Sequence, residues 1–510
     1  MANDDLKISS GDLAEGGFQT DPKSHEAIDF GQPANFSTRQ LAGGSAWTVL
    51  FFGLAQLIRF GSSLILTRLL IPDDFGVMAI VSSVLLGISL FSDLGITTSL
   101  VQSARGSDVA YRNTAWTLQI MRNFLLCVLT VACAPLFASA YPLYPGLTEL
   151  IQVSALGTLI QGFGSMGVVL LDRNLNVARK AVIDLSCQIV SVATMISWAY
   201  WRPSPWAIVM GSLAGSLFGV SLSHILYGRD RLCWERPAVS ALLAWGKWAF
   251  LSSGLMFLAG QADRLMFGVF VPAAVLGVYG LALQLASLAP ELVGRLFRKI
   301  MFPALCRNVQ RNEPLNETFR QCTTPLMVVG GWGLSGLIGG GEQAVNLLYE
   351  SEYSDAGWMV RMLAVGLWFG GILHGARGSA LVATGGLSKN TVATVAKLLS
   401  MLALMPIGYS WGGFAGAIAG YVLSDLCKLA ACMWVSSSLN LNAWRNELRL
   451  TIWLALSAFG GWSCAQAAKS ASLSLVWQCS AVFVAVTLIW SVEAWPLMKK
   501  GYAILSDKEV

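Results

Sequence analysis

Five arginines and three carboxylates bound the chemistry open to this chain. Arg59, Arg122, Arg264, Arg361 and Arg377, together with Asp93, Asp263 and Glu291, fall inside stretches otherwise rich in Leu, Ile, Val, Phe, Ala and Gly. A central arginine in an apolar span costs about 2.5–3.5 kcal/mol on insertion scales, so five are not placed facing lipid without cause. Fixed cations there attract an anionic ligand in a water-filled cleft, and a carboxylate there can shed its charge by taking a proton or a metal cation. On the first apolar stretch Gln56, Arg59, Ser63 and Thr67 follow helical spacing and form one polar stripe. Arg122 has Gln119 one turn earlier, and Arg377 has His374 in the same relation. Arg264 and Arg361 lie nearer span ends, where a long side chain either meets a ligand or snorkels to headgroups. Asp263 either exchanges an ion or pairs with a neighbouring arginine, and Asp93 either exchanges an ion or pins a helix end beside Gly95. Asp425 and Lys428, one turn apart, read as a mutual ion pair.

Other chemistries find little support. The three histidines are far apart and the ten cysteines form no Cys-x-x-Cys pair, so neither a metal site, a disulfide framework nor a catalytic set is expected. No Gly-x-x-x-x-Gly-Lys-Ser/Thr loop is present for ATP. A coupling proton or sodium ion is the alternative energy source, with no other cofactor expected.

The elements that must position these residues are membrane spans. The 510 residues are 55% hydrophobic and only 12% charged, against about a quarter charged in soluble domains. Roughly fourteen apolar stretches reach the ~18 residues needed to cross hydrocarbon, which predicts an all-α polytopic membrane protein. Arg105, Arg112, Arg173, Arg298, Arg307, Lys389, Lys397 and Arg445 fall on one side, whereas Arg68, Arg202 and Lys469 fall on the other. The positive-inside rule therefore puts both termini in the cytoplasm. Nineteen tryptophans, including Trp201, Trp411 and Trp495 at span ends, fit an aromatic belt better than sugar stacking. The net charge of +5 follows this loop asymmetry and makes no case for nucleic acid.

The chain also resembles itself. Pro72 followed by Phe75-Gly76-Val77 reappears as Pro272 followed by Leu276-Gly277-Val278, and Gly164-Ser165 before Arg173-Asn174 reappears as Gly378-Ser379 before Lys389-Asn390. Two pseudo-symmetric six-helix lobes are expected at 43–230 and 240–436, with two appended helices at 448–496. Residues 1–42 and 497–510 are expected as cytoplasmic tails, the first disordered. Such repeats hold a substrate between them near the midplane and give alternating access by rocking.

Leu64-Ile-Leu-Thr-Arg-Leu-Leu-Ile-Pro-Asp-Asp-Phe-Gly-Val77, running on to Phe91-Ser-Asp-Leu-Gly-Ile96, and Leu171-Asp-Arg-Asn-Leu-Asn-Val-Ala-Arg-Lys180 carry a further likeness. They resemble the Wzx-type polysaccharide flippases of the multidrug/oligosaccharidyl-lipid/polysaccharide exporter superfamily, over approximately residues 40–440. Arg173 and Leu175 fit that family's Gln-Arg-x-Leu-x-Phe, whereas Asp172 and Val177 depart from it. The resemblance implies two lobes forming a V in a bacterial cytoplasmic (inner) membrane and no catalysis. Its implied substrate is an oligosaccharide on undecaprenyl diphosphate, with polysaccharide polymerase and export proteins as partners. By their placement in the spans Arg59, Arg122, Arg377, Gln56, Arg264 and Arg361 are the candidates to bind it. Asp93, Asp263 and Glu291 are the candidates for ion coupling. The alternatives are a drug/cation antiporter on the same fold, disfavoured by the deep arginines, and a membrane glycan polymerase or ligase, disfavoured by short external loops.

Overall fold

The computed structural model describes residues 38–91, 95–173, 177–228, 230–439, 441 and 443–506. Of the tails expected at 1–42 and 497–510, residues 1–37 and 507–510 lie outside the described residues, as do Asp93 and the 174–176 part of the second motif, whereas 38–42 and 497–506 are helical. Among the described residues all regular structure is helical. In chain order the α-helices are α1 (Thr38–Leu66), α2 (Pro72–Phe91), α3 (Ile96–Gln102), α4 (Val109–Ala140), α5 (Leu147–Gly162), α6 (Val169–Arg173), α7 (Val177–Trp201), α8 (Trp206–Tyr227), α9 (Arg236–Phe270), α10 (Ala273–Leu296), α11 (Phe302–Gln310), α12 (Leu315–Leu348), α13 (Ala356–Leu367), α14 (His374–Ala383), α15 (Leu387–Ser436), α16 (Trp444–Ser470) and α17 (Leu475–Ser506). Nine described helices are long and apolar enough to cross a membrane, or ten if the 69° bend between Leu147–Gly162 and Met166–Arg173 lies within one span. Trp201, Trp411 and Trp495 are highly exposed, as belt residues are.

Local chemistry accounts for the boundaries. Pro72 opens α2, Asp73 and Asp74 complement its dipole, and Asp74 accepts from the Ile71 N–H at 3.4 Å. Asp108 caps α4 by accepting from the Ala110 N–H at 3.0 Å. α15 is 50 residues long, about 75 Å at helical rise and more than twice the bilayer's hydrocarbon. It is a hairpin. Gly412 and Gly413 leave helical geometry, Gly413 with a φ of 57°, and the arms then pack so tightly that a Cβ on Gly408 would lie 2.1 Å from the Gly416 carbonyl.

The internal repeat meets itself in space. A Cβ on Gly76 would lie 1.8 Å from the Ala273 carbonyl oxygen, and one on Gly277 would lie 1.9 Å from that of Pro72. The two Pro-led turns therefore pack reciprocally at the start of α2 and α10. Tyrosines hold each turn from the other half. Tyr353, after α12, donates to the Leu70 carbonyl at 2.9 Å, and Tyr144, after α4, donates to the Val271 carbonyl at 3.1 Å. Burial pushes both hydroxyls above the usual tyrosine range. A large apolar core with Ile80, Ile151, Phe267, Tyr279, Leu363 and Met401 surrounds this end, while a second core around Phe297, Trp368 and Trp490 ties α16 and α17 to α12.

Candidate functional site

Arg59 is exposed on α1, and among the described residues its guanidinium has no hydrogen-bonded or ionic partner. Along the same face the Gln56 side-chain oxygen is buried and unpartnered, while Ser63 and Thr67 are buried. Ser63 faces the Tyr349 hydroxyl from the second half, and burial pushes that hydroxyl up to about 12. The stripe thus runs from an exposed cation to the sealed end.

The facing basic surface comes from the far end of α10. Glu291, Arg295, Arg298 and Lys299 are all exposed there, and Arg295 lies within electrostatic reach of Glu291, Arg298 and, across the halves, Arg59. A π-helical turn at Phe297–Met301 carries Arg298 and Lys299. Its wider backbone absorbs Pro303, which has no N–H for the helical ladder. Sequence reasoning counted Arg298 only as one of the bases on the cytoplasmic side. The signal for a helical face was present in the spacing of Glu291, Arg295, Arg298 and Lys299, which keeps all four on one side if the helix continues.

The remaining expected residues divide by their partners. Arg122 donates to the Ser89 carbonyl at 2.7 Å. Arg264 donates to Gln261 at 3.2 Å, Gln261 also accepts from Ser83 of the first half at 3.1 Å, and the Arg264 Nε is buried without a partner. Arg361 is paired with Glu342 at 3.1 Å and donates to the Ile338 carbonyl. Arg377 is 6% exposed, and its guanidinium is taken by Glu447, at 2.7 Å and 2.9 Å, and by Ser436. That geometry makes Arg377 a strut between α14 and α16, away from the Arg59 cleft.

The carboxylates separate in the same way. Asp263 is 3% exposed and accepts from the Tyr279 hydroxyl at 2.6 Å, so its partner is a tyrosine and no arginine. Glu291 is exposed within electrostatic reach of Arg295 and accepts from the Ser287 hydroxyl at 3.4 Å. Asp425 pairs with Lys397 at 2.6 Å, correcting the expected pair with Lys428, whose ammonium donates instead to the Gly370 carbonyl at 3.1 Å. Lys397 itself, read as a base on the cytoplasmic side, is 8% exposed inside α15. These groups gather round a second π-helical turn, Trp368–Leu373, whose Gly370 leaves room for the Asp425 carboxylate. Among the described residues no group of His, Cys, Asp or Glu is placed to hold a metal.

Residues 65–358, more than half of the chain, match the family described as "Polysaccharide biosynthesis protein". The chain belongs to this family. It is 21% identical over 425 residues to the lipopolysaccharide biosynthesis protein WzxC of Escherichia coli (strain K12), covering 81% of this chain and 84% of that one. It is 22% identical over 360 residues to the teichuronic acid biosynthesis protein TuaB of Bacillus subtilis (strain 168), covering 68% and 72%. Its fold is similar to that of the lipid II flippase MurJ in an inward closed conformation, with a TM-score of 0.71 at 10% identity over 88% of this chain and 99% of the other. The polysaccharide biosynthesis protein described here is thus a multi-pass membrane protein with a fold like that of MurJ. The departures at Asp172 and Val177 sit beside an Asp172–Lys180 ion pair that joins α6 to α7.

Proposed function

We propose that this family member flips undecaprenyl-diphosphate-linked oligosaccharide repeat units from the cytoplasmic to the periplasmic leaflet of the inner membrane, for exopolysaccharide, capsule or O-antigen synthesis. The observation that carries this reading is that Arg59 of one half and Arg295 of the other are exposed and within electrostatic reach of each other, with Arg298 beside Arg295; in this reading they wall a cleft between the halves. The opposite end is held shut by Tyr144, Tyr353 and the packed Pro-led turns. Guanidinium groups bind phosphate oxygens bidentately, and a cleft walled by both halves releases its ligand when the halves rock. Relatives named for lipopolysaccharide and teichuronic acid synthesis support a glycan cargo. A drug/cation antiporter would need acids to outweigh bases there, whereas Glu291 stands among Arg59, Arg295, Arg298 and Lys299, and Asp263 and Asp425 are committed to Tyr279 and Lys397. Glu291 is the carboxylate placed to exchange a proton or sodium, because it shares the cleft with the arginines. Both termini lie in the cytoplasm in this reading, and polymerase and export proteins take the product.

The test is translocation of lipid-linked oligosaccharide in proteoliposomes and its leaflet distribution in cells. Depletion of the protein should accumulate the lipid on the inner leaflet. Arg59→Ala should reduce translocation at least tenfold at unchanged protein level, and Arg59→Lys should restore part of it because a lysine keeps charge without the fork. Normal translocation by an Arg59→Ala/Arg295→Ala double variant would remove the cleft from the pathway.

A further inference from the structure

The first half contains a cavity, its wall mostly apolar with a band of polar groups, that the arginines do not line. It has a volume of about 560 Å³ and lies among α4, α5, α7 and α8, beside the bend that follows α5. That volume falls within the ~300–1,000 Å³ range of small-molecule sites. Its polar lining includes Gln119 of α4, Gln161 of α5, Asp184 and Gln188 of α7, and Ser212 and Ser216 of α8, among amides, hydroxyls and one carboxylate. No lysine or arginine lines it.

The amides are positioned. Gln161 donates to Ser216 at 3.2 Å, Gln188 to the Ala55 carbonyl at 3.0 Å, and Gln119 to the Gly162 carbonyl at 3.2 Å. Among the described residues no donor reaches the side-chain carbonyl oxygens of Gln161 and Gln188. The amides are thereby fixed in orientation, and Gln161 and Gln188 each keep a carbonyl acceptor and a second N–H. A carboxylate with fixed amides and rotatable hydroxyls matches a ligand that both donates and accepts at many points, as a polyol does. A phosphate would find no cation, and a lipid tail would leave these groups unpaired. The cavity is also tied to the cleft. The carbonyl that Gln188 holds belongs to Ala55, one residue before Gln56 and four before Arg59.

We propose that this cavity is a glycan subsite, holding neutral, polyhydroxylated sugar units of the cargo while its diphosphate lies at the arginine cleft. The subsite rests on the lipid-linked glycan reading of the protein, and it adds a division of labour: charge is read between the halves and hydroxyls are read within the first half. Cys187, which lines the cavity, supplies a reporter.

The experiment uses the full-length protein with every other cysteine replaced by alanine, in lipid nanodiscs, with the rate of Cys187 modification by a methanethiosulfonate reagent as the readout. Two probes are compared: undecaprenyl diphosphate alone, and the lipid-linked oligosaccharide extracted from producing cells. The glycan-bearing lipid should slow modification at least fivefold and bare undecaprenyl diphosphate should not. Equal rates with both probes, when both bind, would overturn the subsite and leave a water-filled vestibule. Failure of either lipid to bind would overturn the cargo reading and the subsite together. Ser216→Phe, which fills the cavity, should retain binding of undecaprenyl diphosphate and lose lipid-linked oligosaccharide translocation at least tenfold. Gln161→Leu, nearly isosteric, repeats the test should the larger side chain block folding. Undiminished translocation by either variant refutes the proposal.

Discussion

Arg59 and Arg377 are the same residue type in similar apolar surroundings, and their neighbours make them different objects. Arg59 meets the cleft, whereas Arg377 spends its guanidinium on Glu447 and Ser436. Removing one partner of a buried pair strands the other charge and costs about 3–5 kcal/mol, whereas replacing both by apolar residues of similar size is often neutral. Arg377→Ala and Glu447→Gln are therefore expected to lower the melting temperature in detergent markedly, and Arg377→Met/Glu447→Leu to recover most of it. Arg59→Ala should leave melting unchanged. The rarity of such arginines was legible in the chain, and so was the stripe that begins with Gln56. The partner of Arg377 was not, because Glu447 lies 70 residues away and meets it only when α14 packs against α16. Lys397 was misread for a related reason: a lysine near a polar turn looks like a loop base until its carboxylate, on the other arm of a hairpin, is seen.

Helices were the most legible level, since apolar runs of span length leave few alternatives in a bilayer. Their interruptions were less so. A π-helical turn inserts one residue without any change in hydropathy, so neither Phe297–Met301 nor Trp368–Leu373 announced itself, and the first hid the basic face of α10. The second has a sharp steric requirement. A Cβ on Gly370 would lie 2.1 Å from Asp425 Oδ1, so Gly370→Ala must displace the carboxylate that holds Lys397. Overpacking costs about 1–3 kcal/mol, and disturbing a buried ion pair adds to it. The expected outcome is a large fall in folded yield, measured by size-exclusion chromatography. Gly371→Ala, whose Cβ would sit 3.3 Å from Pro290 Cβ, a tight contact that a shift of a few tenths of an ångström relieves, should be tolerated better.

At the scale of the whole molecule the two halves hold each other through reciprocal tyrosines. Tyr144→Phe and Tyr353→Phe each remove one hydrogen bond, worth about 0.5–1.5 kcal/mol, so the double variant should open the sealed end more often. Spin labels flanking residues 70 and 271 should report a larger population at long distance. Burial raises the hydroxyl pKa values above the unfolded one, so their contribution is complete below about pH 10 and is lost as pH rises through the folded values. The distance distribution should accordingly stay constant from pH 6 to 9. The paired Pro-led motifs were visible as a repeat, but a repeat does not say that its copies touch. The reciprocal clasp also bears on how the gene product tolerates being divided. Leu232 and Trp234 are exposed in the connection between the halves, with Asp230 anchored to Arg112 on one side and Glu235 to Arg105 on the other. Two polypeptides separated between Leu232 and Trp234 carry complementary hooks and eyes, and co-expressed in one membrane they should find each other and restore polymer export, which either fragment alone would not.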